Sequence, residues 1–195
     1  MKSLFVITGL GLILEMVLAD GGPDWPAICP DIITKARWGA RKSHSVEYAI
    51  VPVPNVIVHH TVTPSCDTEE KCSGTLREIQ NYHIDTMEYD DIGYNFIIGG
   101  DGNVYEGVGW HKIGAHARGF NSKSIGIAFI GDYSDNRPSE KMLKALKNLL
   151  ACGLELGELH KEYKLLGARQ VMATASPGSA LFSEIKTWAH FTRNT

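Results

Sequence analysis

No basic stripe runs through this chain. Its 19 lysines and arginines are interspersed with 22 aspartates and glutamates, for a formal net charge of −3, which argues against nucleic acid as a partner. No linker, internal repeat or low-complexity run follows Pro30. A length of 195 residues with 44% hydrophobic content then suits one globular unit with a full core. Cysteines are few, four in all, and none has zinc-finger spacing, so a structural metal is not expected. No nucleophile-elbow motif surrounds Ser176. A membrane span is also missing. The longest apolar stretch, Leu4 to Leu18, is broken by Thr8 and Glu15, whereas a spanning helix needs ~20 apolar residues without a buried carboxylate.

That stretch has another reading. Lys2 supplies a short positive start, and Val17-Leu18-Ala19 offers small-residue cleavage before the polar turn Asp20-Gly21-Gly22-Pro23. Residues 1–19 are therefore expected to be a secretory signal peptide, residues 20–30 a Pro/Gly-rich arm, and residues 31–195 the folded domain. Outside the cell, four cysteines argue for two disulfides, although three pairings are possible. Cys66 and Cys72 are near enough in sequence to close a small loop, which leaves Cys29 to tie the arm to Cys152.

The body alternates in type. Asn55 to His60 is a β-branched run suited to a buried strand. Ser73 to Asp85 reads as a helix with Leu76, Ile79 and His83 on one face. Tyr94 to Ile98 and Asn103 to Glu106 flank Gly99-Gly100-Asp101-Gly102, a hairpin signal. Ser124 to Ile130 is another strand. Ser139 precedes a helix striped by Met142, Leu143, Leu146, Leu149 and Leu150, ending near Gly153. Lys164 to Leu166 is a brief strand, and Ser176 with Pro177 opens a last helix that turns Leu181, Ile185 and Trp188 inward. The expected fold class is α/β, a central mixed sheet flanked by about three helices.

The histidines carry the chemistry. His59 and His60 end a strand and must point to opposite faces; His83 lies on the inward side of a helix and His116 in the turn Gly114-Ala115-His116. Three classes compete for such groups. A zinc hydrolase needs about three protein ligands and an open position. A serine hydrolase would use Ser176 with a histidine base. A binding module would use the same groups only to exchange hydrogen bonds with a ligand.

The ordered set of short runs discriminates among them. I-V-H-H-T at Ile57 to Thr61, D-I-G-Y-N-F at Asp91 to Phe96, G-G-D-G-N-V-Y-E-G at Gly99 to Gly107 and Gly109-Trp110 resemble the peptidoglycan recognition protein family. So do G-A-H at Gly114 to His116, S-I-G-I at Ser124 to Ile127 and Y-K-L-L-G-A-R-Q-V-M-A-T-A-S-P-G at Tyr163 to Gly178. The resemblance implies the fold of N-acetylmuramoyl-L-alanine amidases, whose active members hold zinc with two histidines and a cysteine. His59 matches the first ligand, Tyr94 the catalytic tyrosine and Thr174 a residue near the metal. The second ligand position holds Ala168 and the third Ser176. Alanine has no donor atom and a hydroxyl is a poor substitute for thiolate. The resemblance therefore implies a receptor that is not an enzyme and needs no metal or other cofactor. Ser176 would instead cap the last helix. The rival reading is an active amidase that degrades peptidoglycan.

The resemblance places His60, Thr61, His83, Tyr94, His116 and Asn121 along a muropeptide cleft. Members selective for diaminopimelate-type stems have a Gly-Trp pair before the G-Y tyrosine and an arginine in G-R-G-W that can pair with the extra carboxylate. Here those positions are Glu88-Tyr89 and Val108, which implies lysine-type peptidoglycan. A short secreted member would hand its signal to a co-receptor or to a serine-protease cascade, with neither nucleic acid nor membrane as partner.

Overall fold

The structure, a computed structural model, describes residues 29–193, so the signal peptide and most of the arm lie outside the described residues. Six strands form one sheet in the order β1-β4-β3-β5-β2-β6. They are β1 Ile32–Ile33, β2 Val53–His60, β3 Phe96–Ile98, β4 Val104–Glu106, β5 Ser124–Phe129 and β6 Leu159–Gly167. Among the strands of the described residues only the β3–β4 pair is antiparallel; β1 pairs with β4, β5 with β3 and β2, and β2 with β6 in parallel. The sheet is thus mixed. Four helices accompany it: α1 Lys35–Trp38, α2 Glu69–Asp85, α3 Glu140–Glu155 and α4 Ser179–Ile185.

Strand alternation sorts the core onto two faces. Val56, Val58, Ile125, Ile127, Phe129, Phe96 and Ile98 pack with Met142, Leu146 and Leu149 of α3 and with Leu181 and Ile185 of α4. The intervening residues Ile97 and Ala128 face the other way, toward Leu76 and Ile79 of α2 and the fully buried Trp38. His59 lies on this second side; His60 turns back toward the loop at Tyr133, whose amide donates to its Nδ1 at 3.1 Å. Both disulfides form, Cys29–Cys152 across a sequence separation of 123 residues and Cys66–Cys72 across 6.

Several boundaries differ from those expected. Helix α2 begins before Ser73 because Thr68 caps it, its hydroxyl accepting from the Lys71 amide, with Glu69 and Glu70 in the first turn. Acidic residues there complement the helix dipole. Strand β6 is longer than Lys164 to Leu166. It lies at one edge of the sheet, and His160, Lys161 and Glu162 are exposed, so an apolar run does not mark its full length. Helix α3 continues past Gly153 to Glu155. The short β1 and α1, of two and four residues, carry no periodic signal in the sequence.

The last helix corrects the expected cap. It starts at Ser179, not Ser176, and its cap is Gly178 at φ 89°. The Ala180 amide donates to the carbonyls of Tyr133 and Ser134 at 3.1 and 3.2 Å. A side chain at 178 would bring Cβ within 2.3 Å of Tyr133 backbone. Tyr133 and Ser134 thus do the work assigned to the Ser176 hydroxyl, which is engaged elsewhere. Trp188 lies beyond the helix and is only partly buried against the core.

Candidate functional site

On the α2 side of the sheet a cavity of about 280 Å3 opens near the carboxyl end of β2. His59, His60, His83, Tyr89, Tyr94 and His116 line it, together with Thr174, Ala175 and Ser176 from the loop that follows β6. Sheet register builds this convergence. Gly167 pairs beside Val58, so the turn starting at Ala168 runs next to His59. Arg169 then donates its amide to the Ser176 carbonyl at 2.9 Å, folding the loop back. The Ser176 hydroxyl accepts from the His60 amide at 3.0 Å, and the Ser176 amide donates to Thr174 Oγ1 at 3.1 Å. Ala168 is fully buried against Ile57, Ala117 and Leu166.

The rings form a continuous row. His116 meets His59 edge-on with centroids 5.3 Å apart; His59 and Tyr94 are 5.4 Å apart, Tyr94 and His83 5.6 Å, His83 and Tyr89 5.4 Å. Burial keeps the histidines of the row neutral, because removing a cation from water disfavours the charged imidazole. It lowers His59 well below the ordinary histidine value, with the neighbouring His116 and His60 adding to the shift. Burial also takes His116 down to about 4 and lowers His83 and His60. Burial, and secondarily Tyr89, pushes the Tyr94 hydroxyl up to about 12, so it stays protonated.

Backbone partners assign the tautomers of two rings. The Gly93 amide donates to His83 Nδ1 at 3.0 Å, so the proton of neutral His83 is on Nε2. His60 Nδ1 likewise accepts from Tyr133, with Asp132 at 3.5 Å. Thr61 is a latch at the strand end: its Oγ1 accepts from the Gly131 amide at 3.0 Å and lies 2.7 Å from Thr63 Oγ1. It lines a neighbouring hollow with Tyr82, His83 and Tyr94.

A second cavity of about 370 Å3 shares Ala115 with the first. Val108, which is nearly buried, forms part of its wall, with Glu47, Asp90, Lys112, Gly114 and Asn121. Asn121 Oδ1 is occupied by the amides of His116 and Ala117 at 3.0 and 2.7 Å, so this residue chiefly holds the turn that carries His116. Glu88 is exposed at φ 57° and lines neither cavity. The anticipated residues thus divide into the cavity of the ring row, a second cavity around Val108, Thr61 in the neighbouring hollow, and Glu88, which lines neither cavity.

Sequence reasoning missed Val62 and Met172, exposed apolar residues on the rim of the first cavity. Both sit in loops, where no periodicity flags them. Gly126 was readable in principle, since glycine inside a strand marks close approach by another group. A Cβ there would lie 2.3 Å from the His116 ring.

Among the described residues no helix is long and apolar enough to cross a membrane. Residues 51–179 match the family described as N-acetylmuramoyl-L-alanine amidase. Peptidoglycan-recognition protein 2 of Holotrichia diomphalia is 52% identical over 194 residues, covering 100% of both chains. The solved bumblebee PGRP-SA superposes with a TM-score of 0.84 at 47% identity, covering 86% of this chain and 100% of that one. Peptidoglycan recognition protein-LE, solved in complex with tracheal cytotoxin, a monomeric diaminopimelic acid-type peptidoglycan, gives a TM-score of 0.82 at 39% identity over 83% of this chain and 96% of that one. The chain belongs to the N-acetylmuramoyl-L-alanine amidase family and, within it, to the peptidoglycan recognition proteins.

Proposed function

We propose that this protein is a secreted, non-catalytic receptor of innate immunity that binds bacterial peptidoglycan along the ring row, with a preference for lysine-type stems. The observation that carries the reading is the donor chemistry at the three positions where active family members hold zinc. His59 keeps a nitrogen, Ala168 has no donor atom, and the Ser176 hydroxyl accepts the His60 amide. Among the described residues no group of three or more His, Cys, Asp or Glu side chains is arranged to hold a metal ion. This set does not fit zinc, which takes nitrogen and thiolate ligands, and no hydrolytic step follows from it.

What the cavity offers instead is neutral hydrogen bonding beside aromatic surface. His83 Nε2–H and the Tyr94 hydroxyl donate, while Tyr89 and Tyr94 supply faces against which sugar or peptide carbon can pack. Such lining suits a glycan-linked peptide. His60, Thr61 and Asn121 support the walls as well as bordering the groove, whereas Glu88 lines neither cavity. The preference for lysine rests on Val108. A valine cannot pair with the extra carboxylate of diaminopimelate, and leaving that group unpaired costs roughly tenfold to a hundredfold in affinity. The second cavity also carries the carboxylates of Glu47 and Asp90 against a single lysine, Lys112, a balance that favours an ammonium. As in its family, the receptor would pass its signal to a serine-protease cascade, and repeated sites on the polymer would cluster receptors and strengthen weak single contacts.

The test is to incubate the purified protein with insoluble lysine-type and diaminopimelate-type peptidoglycan, with and without added zinc, and to assay the supernatant by mass spectrometry. The reading expects protein in the pellet and no released stem peptide. Cleavage of the lactyl-amide bond would make the chain an active amidase.

A further inference from the structure

The placement of His116 is over-determined in a way that ligand contact alone does not require. Its backbone amide is held by Asn121 Oδ1, and its ring lies on Gly126, the strand position with no side chain to obstruct it. Ring Nε2 is 3.4 Å from Ser124 Oγ. The Ser124 hydroxyl proton is committed to the Phe120 carbonyl at 2.7 Å, so toward His116 that oxygen can only accept. A hydrogen must therefore stand on His116 Nε2. The neutral ring has only one, and its Nδ1 is bare. That bare nitrogen is 3.3 Å from His59 Nε2, which in turn must carry the hydrogen. His59 is left with an unprotonated Nδ1 that has no hydrogen-bond partner among the described residues, on a ring that lines the cavity.

We propose that His59 is a fixed hydrogen-bond acceptor in the cavity floor, receiving a secondary-amide N–H of the ligand at Nδ1, and that His116 and Ser124 are the positioning residues that lock its tautomer. The ligand half of this proposal rests on the peptidoglycan-binding reading. Stem peptides and N-acetyl sugars are rich in secondary amides. Beside the donors of His83 and Tyr94, a lone acceptor lets one amide be satisfied at both its N–H and its carbonyl. The order in the chain Ser124, His116, His59 matters. Each residue sets the proton position of the next, as a partner on one imidazole nitrogen fixes the state of the other.

The test uses the disulfide-bonded protein labelled with 15N in its histidines. Long-range 15N–1H correlation spectra at neutral pH distinguish protonated from bare ring nitrogens. The expected result is a bare Nδ1 and a protonated Nε2 on His59, with the Nδ1 resonance moving when a muramyl pentapeptide is added. His116→Ala should release His59 into a tautomer mixture and weaken pentapeptide binding roughly tenfold, the worth of one hydrogen bond in a shielded site. His116→Asn, whose side-chain oxygen can stand near the lost Nδ1, should restore most of both. Equal behaviour of the two variants, or an N–H on His59 Nδ1, overturns the proposal. If His116→Ala does not fold, Ser124→Ala reads the same lock through the spectrum. A protein that shows the bare Nδ1 but binds no muropeptide refutes the functional reading and the ligand half of the proposal, and leaves the lock. A protein that binds with Nδ1 protonated refutes the lock and spares the reading.

Discussion

The two faces of the sheet are built from the same strands to different ends. Toward α3 and α4 the contacts are almost wholly apolar: Val56, Val58, Ile125, Ile127 and Phe129 close over Leu146, Leu149, Leu181 and Ile185. Toward α2 the apolar packing stops short of the carboxyl end of β2, and His59, His116, His83 and Tyr94 take over. The first face stabilises the fold through area removed from water. The second withholds water from groups that prefer it and keeps them neutral by burial, at a cost in stability. The proposed binding site therefore sits where the fold is least optimised.

The largest effect that separates the faces should come from Leu146→Ala. Leu146 is fully buried in the α3 face, and such truncations cost ~2–5 kcal/mol. Chemical denaturation should show that loss, while calorimetry on the fraction still folded shows unchanged muropeptide affinity. A matching loss of affinity would mean that the faces are not independent.

Acid should act mainly on the other face. Burial lowers His116 from 6.5 to about 4, and it lowers His59, His60 and His83 as well. Below pH 6.5 the unfolded chain binds protons that the folded chain refuses. Stability is thus fully present above about pH 6.5 and falls as the pH drops toward 4. From His116 alone the loss approaches ~3 kcal/mol. Melting temperatures between pH 7 and 5, above the range of the carboxylates, should decline in the wild type and decline less in His116→Asn. A flat profile would contradict the neutral ring row.

A smaller effect is expected at Gly126. Gly126→Ala inserts a methyl group where the His116 ring lies 2.3 Å away, and overpacking of this kind costs ~1–3 kcal/mol. Its signature should be a loss of ligand binding out of proportion to the loss of stability, because the displaced ring belongs to the cavity. The smallest and opposite effect belongs to Val62. This exposed β-branched residue stands at φ 57° on the rim, a left-handed conformation that costs ~1–2 kcal/mol. Val62→Gly should raise the melting temperature or leave it unchanged, since the relief of strain offsets the added entropy of glycine. A clear drop would show that Val62 packs against something the rim does not reveal.

The apolar face was the more legible in the sequence. The β-branched run at Asn55 to His60 and the leucine stripe of α3 announce themselves by period and composition, because burial against a helix imposes both. The hairpin around Gly99 to Gly102 was readable from its glycines. The site was legible only through resemblance. His59, His83, Tyr94 and His116 stand at unrelated intervals, and nothing in their spacing brings them together; parallel register and the fold of the loop after β6 do that. Ser176 shows the limit of local rules. Ser-Pro before an apolar run reads as a helix cap, yet the His60 amide claims its hydroxyl and Gly178 caps the helix through Tyr133. A long-range partner outcompeted a local one.

The central claim is recognition without hydrolysis, and a calorimetric titration of the protein with matched lysine-type and diaminopimelate-type muropeptides tests it most directly, provided the ligand is recovered and weighed afterwards. Saturable binding is expected, tighter for the lysine form, with the ligand recovered intact. Equal or reversed affinities would refute the role given to Val108 and leave the receptor standing, whereas a cleaved lactyl-amide bond, or no binding of either form, would contradict the account itself.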